Sequence, residues 1–180
     1  MEKEMHGMIR KATARDIASI VDTYNEHFSY EHENGAFTVF KKDVYPTAQG
    51  AENAVKDGTM YVYEWNGDIA GSMIVGHEQP EEYAGIKWGM NCGADEIMVI
   101  HLILVRPCMA GNGIASSLLK YAAEMARECS CKVLRLDTGE QNIPAVSLYK
   151  KMGFRIVAEA PKKVGDVIAH TNHLFLEKIL

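Results

Sequence analysis

Two periods of apolar spacing alternate along the chain. Met8 to Lys11 reads as a strand, and Thr13 stands as a cap before a segment that sets Ile17, Ile20, Val21 and Tyr24 on one helical face. Residues 26–57 are less regular, punctuated by Pro46 and Gly50, and predict a helical cap with a short helix over 51–55. Met60 to Trp65 and Ile69 to Val75 are strand-like runs joined by Asn66-Gly67-Asp68. Asn-Gly tolerates positive φ at both positions, so the two runs predict a hairpin. Residues 77–95 form a long irregular segment with Pro80, three glycines and Trp88, too long for an ordinary connection and therefore expected to line a site.

Glu96 to Val105 is nearly continuous apolar sequence, the pattern of a strand buried on both faces. The next helical repeat places Ile114, Leu118, Tyr121, Ala122 and Met125 on one side, with Ser117, Lys120, Glu124 and Arg127 largely outside. Lys132 to Asp137 is a further strand, giving a right-handed strand-helix-strand crossover. Ile143 to Lys151 reads as a shorter helix with Pro144 in its first turn and Gly153 at its stop. Phe154 to Ala158 and His170 to Lys178 close the chain as two strands, expected to be antiparallel neighbours.

At 180 residues, with 47% apolar and 24% charged residues, the chain 1–180 fits a single α/β domain with a real core. The net charge of −5 argues against duplex nucleic acid, which needs clustered Lys and Arg. No apolar run reaches the roughly 20 residues that cross a bilayer. Four cysteines without CxxC spacing, and a start MEKEMHGMIR lacking a signal peptide's apolar core, point to a reduced, cytoplasmic protein. His170 and His173, three apart on a strand, are expected on opposite faces, and Cys129 with Cys131 lacks a second pair, so no metal is expected.

The chemistry concentrates in LVRPCMAGNGIASSLLKYAAEMA, residues 104–126, where a strand runs through a glycine loop into a helix. Such a loop holds an anion on free backbone N–H groups and a helix N-terminus. A nucleoside triphosphatase loop would need Lys followed by Ser or Thr, which AGNGIASS lacks. A dinucleotide loop would turn on its first glycine at the strand end; here residues 106–110 intervene, and Ser116 stands where a third glycine belongs, although Asp137 lies near the spacing of a ribose ligand. Coenzyme A asks only for approachable backbone, which Gly111, Gly113 and Ala115 provide, with Ser116 and Ser117 adding hydroxyls.

VRPCMAGNGIASSLLKYAAEMA resembles the strand, pyrophosphate loop and helix of the GNAT superfamily of acetyl-coenzyme A dependent N-acetyltransferases, and NIPAVSLYKKMGF, residues 142–154, resembles that family's Asn, Ala, Leu-Tyr and Gly-Phe pattern. The order of elements agrees over nearly the whole chain. Ala110 departs from the usual Arg or Gln, which removes one side-chain phosphate contact and leaves the backbone donors. The resemblance implies a mixed central sheet of six to seven strands flanked by about four helices, with splayed strands holding acetyl-coenzyme A and direct transfer to an amine in a ternary complex. It implies that the backbone of Ile103, Leu104 and Val105 binds the pantetheine arm, that Ala110, Gly111, Asn112, Gly113, Ile114, Ala115 and Ser116 form the pyrophosphate loop, that Asn142 contacts the coenzyme, and that Tyr149 is the general acid. A homodimer is left open.

His101 is the leading general base, because an ionisable ring in an apolar strand is costly without a partner or a task, and a histidine occupies a similar place in arylalkylamine N-acetyltransferases. Glu96 is the carboxylate alternative, on the opposite face if the strand is regular. The acceptor is expected between the first helical region and the 77–95 segment, where Glu78, Glu81, Glu82 and Asp95 attract an ammonium and Tyr83, Trp88 and Met90 give apolar or cation–π contacts. A non-catalytic acyl-coenzyme A sensor is the alternative reading.

Overall fold

The structure is a computed structural model that describes residues 7–180. Seven strands form one mixed sheet in the order β1-β2-β3-β4-β5-β7-β6. They are β1 (Gly7–Lys11), β2 (Met60–Trp65), β3 (Asp68–Gly76), β4 (Ile97–Val105), β5 (Val133–Gly139), β6 (Arg155–Val164) and β7 (Ile168–Ile179). Four helices flank it: α1 (Ile17–Asn34), α2 (Ala48–Lys56), α3 (Ile114–Glu128) and α4 (Ile143–Lys151). Among the described residues only β4 and β5 pair in parallel, because α3 carries the chain between them.

Helices α3 and α4 bury their apolar stripes on one face, where Leu118, Ala122 and Ala126 meet Met98, Ile100, Leu134 and Leu136. On the other face α1 and α2 pack Ile20, Tyr24, Ala51 and Ala54 against Met60, Val62, Leu102 and Leu104. The 77–95 segment covers the rest of that second face, laying Tyr83 and Trp88 over Ile97, Val99, Val133 and Phe175. Apolar residues of β4 therefore fill three separate clusters, which explains its near-continuous apolar sequence.

One helix end and one hairpin differ from the pattern read in sequence. The helix begun near Thr13 continues to Asn34, and β6 and β7 form a long hairpin turning at Gly165 and Asp166, both with positive φ. Both strands extend past the expected ends at Ala158 and His170, where Pro161 and the charged run interrupt the alternation.

His170 and His173 lie on one face, not two. Between Ala160↔His173 and Lys162↔His170 the β7 strand spends one more residue than β6. This bulge shifts the side-chain parity, and it falls opposite Pro161, which has no N–H to give the ladder. No helix among the described residues is long and apolar enough to cross a membrane.

Candidate active site

Strand β4 has its own bulge, and it falls on His101. Its partner β3 pairs Ile74 with Leu102 and Val75 with Ile100, leaving His101 as the extra residue. The side chains change face there: Met98 and Ile100 share the α3 core with Ile103 and Val105, while Leu102 and Leu104 turn to the α1 core. The β4–β5 ladder stops at the same level, its last pair being Ile100↔Leu136. Beyond it the strands part, so the backbone of 101–105 on the β5 side has no strand partner. The fork thus opens between His101 on one arm and Asp137 on the other.

At the mouth of the fork the chain turns through 106–113 into α3. Arg106 anchors that turn: its Nε donates to the Ile69 carbonyl at 2.6 Å, its backbone N–H donates to Ala70, and its guanidinium pairs with Glu26 of α1. Gly111 and Gly113 have φ of 81° and 75°, a region that costs a side-chain-bearing residue roughly 1 kcal/mol. Gly113 caps α3 with no side chain satisfying the first turn, so the amides of 114–116 point outward as donors at the positive end of the helix. Asn112 stays exposed, its Nδ2 donating to the Met109 carbonyl at 3.0 Å, and the Ser117 hydroxyl donates to the Gly113 carbonyl. Ala110, Ala115 and Ser116 complete the loop without further side-chain bonds of their own.

From the other side, α4 brings Tyr149, partly buried and packed on Phe154 with ring centroids 6.0 Å apart. Asn142 caps α4, its side chain accepting from the Ala145 N–H. Burial first, and the Asp137 charge second, push the Tyr149 hydroxyl well above the usual phenol value. Burial also lowers the His101 imidazole, against the opposing pull of Asp137 and Glu78. His101 and Tyr149 therefore both sense one carboxylate, that of Asp137.

Asp137 was not read as part of this site, and neither were its partners Lys162 and His173; Tyr83 was expected there as an apolar or cation–π contact, not as a hydrogen-bond donor to Asp137. Its Oδ2 accepts from the Tyr83 hydroxyl at 2.8 Å and lies 3.4 Å from Lys162 Nζ, and its Oδ1 lies 2.9 Å from His173 Nε2. Burial works against ionisation here, but the His173 hydrogen bond and the Lys162 charge outweigh it and hold the carboxyl below its usual range. Tyr45 from the 36–47 segment packs against the Gly165 turn, where any side chain at 165 would collide with its ring. Asp137, Tyr83, Lys162, His173 and Tyr45 come from five separate segments of the chain. The one signal available was charge at alternate positions of strands that are otherwise apolar, Arg135 and Asp137 on β5 with His173 and Glu177 on β7.

The other acidic candidates separate. Glu82 accepts from the Lys163 N–H and faces Lys162 beside the fork. Glu96 sits at the paired end of β4, bound by Lys132 at 2.5 Å and by the Gly93 N–H, and Asp95 adjoins it. Trp88 and Met90 hold Arg135: the guanidinium lies 4.2 Å from the Trp88 ring and donates to the Met90 carbonyl.

A forked parallel pair with an uncapped helix N-terminus at its mouth is a site for an extended ligand bearing an anion. The family model described as Acetyltransferase (GNAT) family matches residues 17–154. The chain belongs to this family. As a GNAT acetyltransferase it is an acyltransferase, and it is 26% identical over 153 residues to thialysine N-epsilon-acetyltransferase of Sus scrofa, covering 85% of this chain and 86% of that one. It is 29% identical over 117 residues to streptothricin acetyltransferase of Escherichia coli, covering 63% of this chain and 67% of that one. The GNAT fold is shared with an acetyltransferase from Salmonella typhimurium solved with its cofactor acetyl-CoA, at a TM-score of 0.69 and 20% identity, covering 97% and 94% of the two chains.

Proposed function

We propose that this single-domain GNAT acetyltransferase moves the acetyl group of acetyl-coenzyme A directly to a primary amine of a small molecule or peptide, in the cytoplasm. The fork of β4 and β5, with the free amides of α3 at its mouth, is the observation that carries the reading. The pyrophosphate binds the amides around Gly113, the pantetheine arm takes the place of the missing strand beside 103–105, and the thioester then lies at His101 and Tyr149. The amine relatives named above support an amine acceptor, and the carboxylates of Asp137 and Glu82 suit an incoming ammonium.

His101 takes the ammonium proton, the neutral amine attacks the carbonyl, a β4 backbone N–H polarises its oxygen, and Tyr149 donates a hydrogen bond to the departing sulfur. Thiol release from acetyl-coenzyme A with a panel of amines tests the whole reading; release with none of them, at detectable coenzyme binding, would favour a sensor instead. His101→Ala is expected to lower kcat/KM by about a hundredfold. Because burial depresses the His101 value, the ring stays an unprotonated base at neutral pH, and the acid limb of the wild-type rate profile should fall below the usual imidazole value of about 6.5. The sign for stability is the same: the folded protein favours neutral His101, so this contribution is present above about pH 6.5 and is lost as pH drops through the folded value.

Gly113→Ala isolates the loop. Nothing lies within 4 Å of an added methyl group, so the penalty is conformational, roughly 1 kcal/mol, and the amides it displaces are those that face the pyrophosphate. Calorimetry should show coenzyme A binding weakened by at least about fivefold, while the melting temperature moves by only a few degrees. Unchanged affinity would place the pyrophosphate elsewhere.

A further inference from the structure

A line of three side chains leads from the fork towards the surface. Asp137 Oδ1 lies 2.9 Å from His173 Nε2, and His173 Nδ1 lies 3.0 Å from His170 Nδ1. His173 is 2% exposed, whereas His170 is only partly covered. Two ring nitrogens at this distance hold one proton between them, as N–H on one and a lone pair on the other. Protonating both rings would set like charges and two hydrogens into that gap. The groups around the line are Lys162 from β6, Tyr83 and Glu82 from the 77–95 segment, and Glu140 from the turn after β5. Burial first, and the neighbouring ring second, keep the His170 imidazole below its usual value, so it yields a proton readily to neutral solvent.

We propose that His173 and His170 form a proton relay that returns Asp137 to its ionised form by passing a proton from the fork to solvent. The inference rests on the amine-acetylation reading. In that reaction an ammonium and a thioester give an amide, a thiol and one proton, so every turnover must shed a proton from a largely buried site. The proton that His101 takes from the ammonium passes to the Asp137 carboxylate, whose charge acts on that ring. The His101 N–H bond breaks as the Asp137 Oδ1–H bond forms, and the Oδ1–H bond then breaks as an N–H bond forms at His173 Nε2. The His173 Nδ1 proton moves to His170 Nδ1, and the proton on His170 Nε2 passes to water. Asp137 is left a carboxylate, both rings end neutral with their tautomers exchanged, and nothing is oxidised or reduced. Both histidines act through Asp137 and are positioning residues. The β7 bulge opposite Pro161 makes the line possible, since a regular strand would have turned one ring to the far face.

His170→Asn tests the relay without touching any contact to Asp137. In dilute buffer its kcat should fall roughly tenfold, less than the loss of a general base brings, with both KM values unchanged and the rate restored by added imidazole. His173→Asn should fall at least as far. In the free wild-type protein, the two rings should titrate by NMR as one coupled pair that takes up a single proton, and His170→Asn should shift the His173 titration. A wild-type kcat for His170→Asn in dilute buffer, or two rings that titrate independently, overturns the relay. If wild-type protein acetylates no amine, the amine reading fails instead, and the titration by itself decides whether the rings share a proton.

Discussion

Tyr149→Phe should cut kcat by about a hundredfold or more and leave the KM for acetyl-coenzyme A nearly unchanged. The substitution removes one hydroxyl and keeps the ring, so the packing against Phe154 survives. The effect is expected on turnover because the hydroxyl meets charge only as the carbon–sulfur bond breaks. Burial and Asp137 keep this phenol protonated through any workable assay pH, whereas a thiol ionises near pH 8.5. The phenol is thus the weaker acid, and it acts by donating a hydrogen bond to the sulfur as negative charge builds there. The alkaline limb of the rate profile should therefore survive in wild type without a Tyr149 step below about pH 10. Steady-state kinetics on both proteins decide the matter; equal kcat values would remove Tyr149 from the chemistry.

Glu177→Ala should destabilise the fold by about 3–5 kcal/mol, the usual consequence of leaving a buried charge without its partner. Glu177 and Arg135 have side chains only 3% and 5% exposed and meet at 2.9 Å. The same carboxylate accepts the Met90 N–H, so its loss strands the guanidinium and unfastens the 77–95 segment together. Urea unfolding should show a lower midpoint, and a loss under about 1 kcal/mol would mean that the pair is solvated. Because Tyr83 of that segment also holds Asp137, the acceptor KM should rise in the variant even where it remains folded, with the coenzyme KM less affected.

Most of the sheet was legible in local sequence. The Asn66-Gly67 turn, the apolar run of β4, the amphipathic α3 and the stop at Gly153 each follow from one segment's own chemistry. The loop at 110–116, Asn142 and Tyr149 could be picked out because they occupy two short motifs. What stayed hidden depends on pairing between distant segments. The extra residue at His101 is a property of β3 and β4 together, and the shared face of His170 and His173 is a property of β6 and β7. Asp137 looked like a ribose ligand when read alone; Tyr83, Lys162 and His173 give it a different setting, and each comes from a separate element. Helix α1 ran past its expected end since its last turns are polar, yet buried Glu31 accepts the N–H groups of Phe37 and Thr38 and ties the helix to the loop that follows.

The single-residue offset at His101 also restricts how this chain can vary in length. Each half of β4 is phased to a different set of neighbours, so inserting or deleting one residue anywhere along the strand would exchange inner and outer side chains on one half of it and not the other. The hairpin tip at 66–67 can lengthen freely by comparison, since nothing lies within 4 Å of a side chain added at Gly67. The spacing from Ile97 to Val105 is a fixed ruler, and the reacting groups keep their separation only while it does.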